Sequence, residues 1–185
     1  MSTQYHIPTV IKEKVVAMAS AELLTQLQAI DPLIEGINFM YGHYNDIRER
    51  LTTMNKTDVN ATKRYPLVAL FEDYRIRKRQ VGTSGITNLK IIILYPTKKD
   101  ITREQREAAT FQPILYPIYY SILKWLKLSG VFMIYDETKI IHDLIPRPHW
   151  GDPGLYQNNA YLLNDVLDGL ELSNLELTTF LNNCS

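Results

Sequence analysis

The stretch YPLVALFEDYRIRKRQVGTSGITNLKIIILY, residues 65–95, decides the fold. Its first ten residues are strand-like, with Pro66 tolerable at the start of a strand or on an edge. The charged run RIRKRQ continues them. Gly82, Thr83, Ser84 and Gly85 supply turn chemistry, and ITNLKIIILY returns as a second strand. Two apolar strands joined by a charged, glycine-containing segment predict a long β-hairpin over 65–95. Period-two alternation places Arg75, Arg77 and Arg79 on one side of it. An apolar base with a charged distal half predicts an arm reaching beyond the body of the domain.

The flanks read as helices and further strands. Residues 9–29 form a helix that Thr9 can cap, with Ile11, Val15, Met18 and Leu23 at helical spacing. Asp31-Pro32 stops it. INFMY (37–41) alternates as a strand, with Ile37, Phe39 and Tyr41 on one face. HYNDIRERLTTM (43–54) sets Ile47, Leu51 and Met54 on one face of an amphipathic helix. The polar segment NKTDVNATKR (55–64) is a loop. Thr102 and Gln105 form a capping box that starts a long helix over 102–129. Pro113 and Pro117 predict a break or kink near Gln112, and Gly130 ends the helix.

In the last section, 130–181, TKIIHDLI (138–145) reads as a strand and PRPHWGDPGLYQNN (146–159) as a loop. In DGLELSNLELTT (168–179) the alternation shifts at Ser173-Asn174, as a β-bulge produces. The order predicts one α+β domain over 1–185. Its mainly antiparallel sheet carries the hairpin arm and packs against one long helix and shorter helices.

The composition is that of a soluble globular chain: 45% hydrophobic and 22% charged residues, with 20 cations balancing 20 anions. Neutrality argues against a dedicated DNA-coating protein. Charge is nonetheless segregated. Residues 63–79 carry six cations against Glu72 and Asp73, whereas residues 130–185 carry Lys139 and Arg147 against eight acids. Either both sets are solvated faces, or the chain attracts copies of itself head to tail. A single cysteine, Cys184, excludes an intrachain disulfide and a cysteine-based metal cluster. The N-terminus lacks the layout of a signal peptide, and IIILY is too short to span a bilayer. The expected setting is a reducing cytoplasm without membrane contact.

Two stretches invite a catalytic reading. In a restriction-type nuclease an acid is followed by an acid-x-Lys. Here Asp73 is followed by Asn88 before Lys90, so a carboxylate needed by a two-carboxylate Mg²⁺ site is missing. His142 and Asp143, adjacent on a strand, point to opposite faces. His149 lies beyond two prolines, and His43 is isolated. Phosphate-binding and nucleophile-elbow motifs are absent from the sequence. No catalytic, cofactor-binding or metal-binding residue is therefore assigned, and no cofactor is expected. Tyr116, Tyr119 and Tyr120 read as core and interface residues.

Several stretches together carry a resemblance: INFMYGHYNDIRERL (37–51), RYPLVALFED (64–73), FQPILYPIYYSILKWL (111–126), HWG…GLY (149–156) and NDVLDGLELSNLEL (164–177). From about residue 9 to about residue 180 the chain resembles small tail-completion or neck proteins of phages and prophages of Bacteroidetes-type bacteria. The element order is similar to the tail-terminator fold. The resemblance implies a virion component, assembled in the host cytoplasm, that forms a ring, commonly hexameric. Such a ring caps the tail tube, faces head-side connector or neck proteins, and has no catalytic residues to carry over.

On that basis the basic residues Arg75, Arg77, Lys78 and Arg79 are expected to meet carboxylates of a neighbouring subunit, with Asp165, Asp168 and Glu171 as receivers. A weak, sequence-blind contact with genomic DNA in the central channel stays open as a second role.

Overall fold

A computed structural model describes residues 6–57, 64–78, 83–150 and 166–180. The fold is α+β, built on a six-stranded, mostly antiparallel sheet. Its strands are β1 (Asn38–Gly42), β2 (Leu67–Phe71), β3 (Arg75–Lys78), β4 (Thr83–Pro96), β5 (Asp143–Trp150) and β6 (Leu167–Phe180). They run in the order β1-β2-β4-β6-β5, with β3 beside β4 beyond the end of β2. Only β1 and β2 are parallel.

β2 and the stretch of β4 beside it, Ile91–Leu94, are apolar at every position because both of their faces are covered. Val68, Leu70, Ile91 and Ile93 face one way and meet Leu170 and Leu172, the N-terminal helix and the long helix. Leu67, Ala69, Phe71, Ile92 and Leu94 face the other way and pack on Ile47, Leu51 and Tyr65. The amphipathic helix Tyr44–Thr57 supplies Ile47 and Leu51 and so closes the second face. It runs on through residues 55–57, which the sequence places in a loop.

Two bulges keep the first core continuous. Ile86 pairs with Leu177, Leu89 with Leu175 and Ile91 with Leu172. β4 therefore carries an extra residue near Asn88, and β6 carries one near Asn174. Both asparagines have positive φ, 59° and 53°, a conformation that asparagine adopts more readily than other side-chain-bearing residues. The bulge expected at Ser173-Asn174 is present, and its partner on β4 restores the register. Without the pair, Leu175 and Leu177 would point away from the core that they fill.

The N-terminal helix spans residues 7–30, α-helical at Ile7–Val10 and Ala17–Ile30 with a π-helical stretch at Ile11–Val16. Ile11, Val15, Ala19, Leu23 and Leu27 are buried at every fourth position, and Met18 is exposed. A fourfold step drifts about 40° per repeat on an α-helix, and the wider π turn absorbs part of the drift. The helix begins before Thr9, whose hydroxyl bonds His6 Nδ1 at 2.8 Å instead of capping.

The long helix begins at the expected capping box. It does not break near Gln112. Glu107–Leu115 is π-helical and takes Pro113 inside it, and Tyr116–Leu128 continues as α-helix. A π stretch re-routes the hydrogen bonds that a proline removes. Gly130, with φ of 69°, follows its end as expected.

The C-terminal expectations shift. Residues 138–142 are not a strand: Glu137–Lys139 is a 3₁₀ turn. The strand starts at Asp143 and runs through Pro146 and Pro148 to Trp150, where a loop was expected. As the outermost strand, β5 needs ladder bonds on one side only, so its prolines cost little.

The hairpin is likewise held differently. Thr83–Gly85 lie within β4, not in a turn, and β4 is paired along Thr83–Ile86 with β6. The distal half is therefore the end of a sheet and not a free arm. Gly82 and Arg79 lie outside the described residues.

Candidate functional site

β3 pairs with β4 on one side, and no strand among the described residues covers its other side. Arg75, Ile76 and Arg77 are exposed there, and Ile76 is 47% exposed. Arg75 and Arg77 lie opposite Thr87 and Gly85, so they share a face, and Lys78 lies opposite Ser84. Among the described residues neither arginine has a carboxylate within ion-pair distance. Tyr74, at the start of the strand, packs against the first core, which anchors the edge. Burial, with help from the nearby Glu72 charge, raises the Tyr74 phenol above its usual range.

The expected acidic receivers are not available. Asp168 is 0% exposed and Arg106 4%. Arg106 Nη1 donates to Asp168 Oδ1 at 2.8 Å and to Thr97 Oγ1 at 3.1 Å. Its Nη2 donates to the carbonyls of Lys98 and Lys99 at 2.9 and 3.3 Å. The His149 amide adds a bond to Asp168 Oδ1 at 3.3 Å.

Glu171, on the opposite face of β6, is also buried. It accepts from Arg147 Nε at 2.8 Å and lies 3.7 Å from Lys90 Nζ. Both acids sit in a strand enclosed by β4 and β5, where a carboxylate persists only if paired. Each ties neighbouring elements together within one subunit. Asp165 lies outside the described residues.

The residues weighed for chemistry have structural tasks. Asn88 is a bulge residue, and Lys90 serves Glu171 and lies 5.9 Å above the Phe71 ring. His142 Nδ1 donates to the Ile140 carbonyl at 2.8 Å, which leaves Nε2 to accept from the Tyr119 hydroxyl at 2.9 Å. Asp143 accepts from Asn174 at 2.6 Å. His43 sits at the start of the second helix, its carbonyl accepting from the amides of Asp46 and Ile47. His149 has φ of 54° at an irregularity of β5.

A cleft of about 530 Å³ lies between the start of the long helix and β5, lined by Arg103, Arg106, Glu107, Phe111, Tyr116 and His149. The guanidinium nitrogens of Arg106 that face Asp168 and the two carbonyls are already committed.

Sequence reasoning missed a hollow of about 280 Å³ on the far side of β6, formed by residues 133–141 and 176–178. Its floor is buried Ile140 and Leu177, and its rim carries Tyr135, Asp136, Ile141 and Glu176. Tyr135 is 88% and Ile141 66% exposed. VFMIY (131–135) stays unassigned in the sequence and 138–145 reads there as a strand, so no local signal marks the hollow.

Among the described residues no helix is long and apolar enough to cross a membrane. Compared with models of known protein families and with curated proteins, the chain matches none.

Proposed function

We propose that this chain is a non-enzymatic structural protein of a phage particle, one that forms a homo-oligomeric ring at the head–tail junction and terminates or completes the tail. The ring is hexameric, as the sequence resemblance implies, and lies between the tail tube and head-side connector or neck proteins. A different ring of the same neck is the nearest variant of this reading.

The observation that carries it is the open β3 edge. A strand with exposed Arg75, Ile76 and Arg77, and with a hydrogen-bonding side that no strand among the described residues covers, is a ready contact surface. Neither arginine pairs with a carboxylate among the described residues, so both charges are available to a partner. The mass in solution and negative-stain images test the ring directly. Arg75→Glu with Arg77→Glu should reduce assembly to monomers while leaving the far-UV circular dichroism unchanged. A wild-type protein that stays monomeric at high concentration and binds no tail-tube protein overturns the proposal.

The same two guanidinium groups favour a second reading, in which the strand touches phosphates of passing DNA. Assembly that survives the double reversal while DNA retention falls, with a shallower salt dependence, selects this second reading.

A further inference from the structure

Resting on the ring reading, we infer that the hollow at residues 133–141 and 176–178 is the receiver of the β3 edge of a second copy of this chain. The receiver is thus a different set of residues from Asp168 and Glu171, which are consumed inside the subunit.

Topology places the two surfaces appropriately. β3 flanks β4 at residues 84–87, and β6 flanks the other side of β4 at residues 83–86. The segment forming the hollow flanks the far side of β6 at that same level. Phe132 bridges to Thr179, the Met133 amide donates to the Thr178 carbonyl at 2.7 Å, and the Glu176 amide donates to the Ile141 carbonyl at 3.0 Å. The basic strand and the hollow therefore occupy opposite edges of one end of the sheet. Copies set side by side bring one surface against the other, and repetition of that step gives a head-to-tail series that closes into a ring.

The chemistry is complementary. Ile76 matches the apolar floor of Ile140 and Leu177 and the exposed Ile141. Arg75 and Arg77, on the other face of β3, have long stems that fold back toward the carboxylates of Asp136 and Glu176. Tyr135 offers a ring face on which a guanidinium stacks. Lys139, 3.9 Å from Asp136, partly offsets that acid, so Glu176 is the stronger anchor. Two-fold pairing of β3 with β3 is disfavoured, because it sets Arg75 and Arg77 of one copy against those of the other.

Cysteine cross-linking tests the assignment. In a Cys184→Ser background, Ile76→Cys and Ile141→Cys are combined in one chain and oxidised. The expected result is a covalent ladder of dimer, trimer and higher species on a non-reducing gel, with neither single variant producing more than a trace of dimer. Efficient dimer from Ile76→Cys alone would show two-fold edge pairing and overturn the inference. Absence of cross-links while the oxidised sample keeps the mass of a ring would overturn the receiver but leave the ring reading intact. A wild type that remains monomeric overturns both.

Discussion

Replacing Arg106 by methionine tests how the sheet is tied to the long helix. The change keeps a long unbranched side chain and deletes four donated hydrogen bonds: one to Asp168, one to Thr97 and two to the carbonyls of Lys98 and Lys99. Asp168, fully buried, then keeps only the His149 amide as a donor among the bonds described. Breaking one side of a buried ion pair costs about 3–5 kcal/mol. The carbonyls of Lys98 and Lys99 lie near solvent and regain water, so they add little. At about 2–4 °C per kcal/mol for a chain of this size, the melting temperature should fall by about 6–20 °C.

Urea denaturation at neutral pH measures the loss, with an unchanged m-value showing that the denatured state is not altered. The second arm is Arg106→Met with Asp168→Leu. Removing both charges leaves no orphaned carboxylate, so the double variant should recover most of the stability, giving a large coupling energy in the cycle. A loss below about 1 kcal/mol for Arg106→Met, or additive losses in the double variant, would refute the view that the pair acts as one buried unit.

Three other outcomes follow from the geometry. Asn174→Val should destabilise by about 1–2 kcal/mol, because a β-branched residue resists φ of 53°, whereas Asn174→Gly should stay close to wild type in the same thermal melts. Thr102→Ala removes the side-chain acceptor of the capping box and should cost about 1 kcal/mol in chemical denaturation.

Glu22 accepts from Lys124, Trp125 and Ser121, and these bonds, that to Lys124 foremost, hold its carboxyl below the usual range against the opposing effect of burial. A depressed folded-state pKa gives stability above the unfolded value, lost as pH falls through the folded one. The stability gap between wild type and Glu22→Gln should therefore be full at neutral pH and close below the ordinary carboxylate range. A gap independent of pH would count against this account.

The sequence announced much of the fold through its periodicities. The capping box, the bulge at Asn174, the amphipathic second helix and the apolar strands 67–71 and 91–94 all stand where local pattern places them. The failures share one cause: a local rule overridden by a neighbour in space. Pro146 and Pro148 read as loop residues because nothing local reveals that their strand is outermost. Pro113 reads as a helix breaker because the π stretch around it is set by packing.

Asp168 and Glu171 read as surface acids for the same reason. Their partners Arg106 and Arg147 lie 62 and 24 residues away in the chain, and β4 and β5 enclose them. The basic edge was legible because Arg75 and Arg77 flag it directly. The hollow was not, since it is assembled from a turn, a bridge and the end of β6.

The paired asparagine bulges have a consequence for how this chain tolerates length changes. Each bulge shifts the inside-outside parity of its strand, and the two shifts cancel. Deleting Asn174 alone would remove the absorbed residue and leave Leu170, Leu172, Leu175 and Leu177 in plain alternation on the inner face, with Glu176 still outward. Deleting Asn88 would do the same for β4, keeping Ile86, Leu89 and Ile91 on one face. A residue inserted or deleted elsewhere in these strands, where no bulge takes it up, would instead turn every later side chain to the other face, so the two bulges are the points at which β4 and β6 accommodate a change of length.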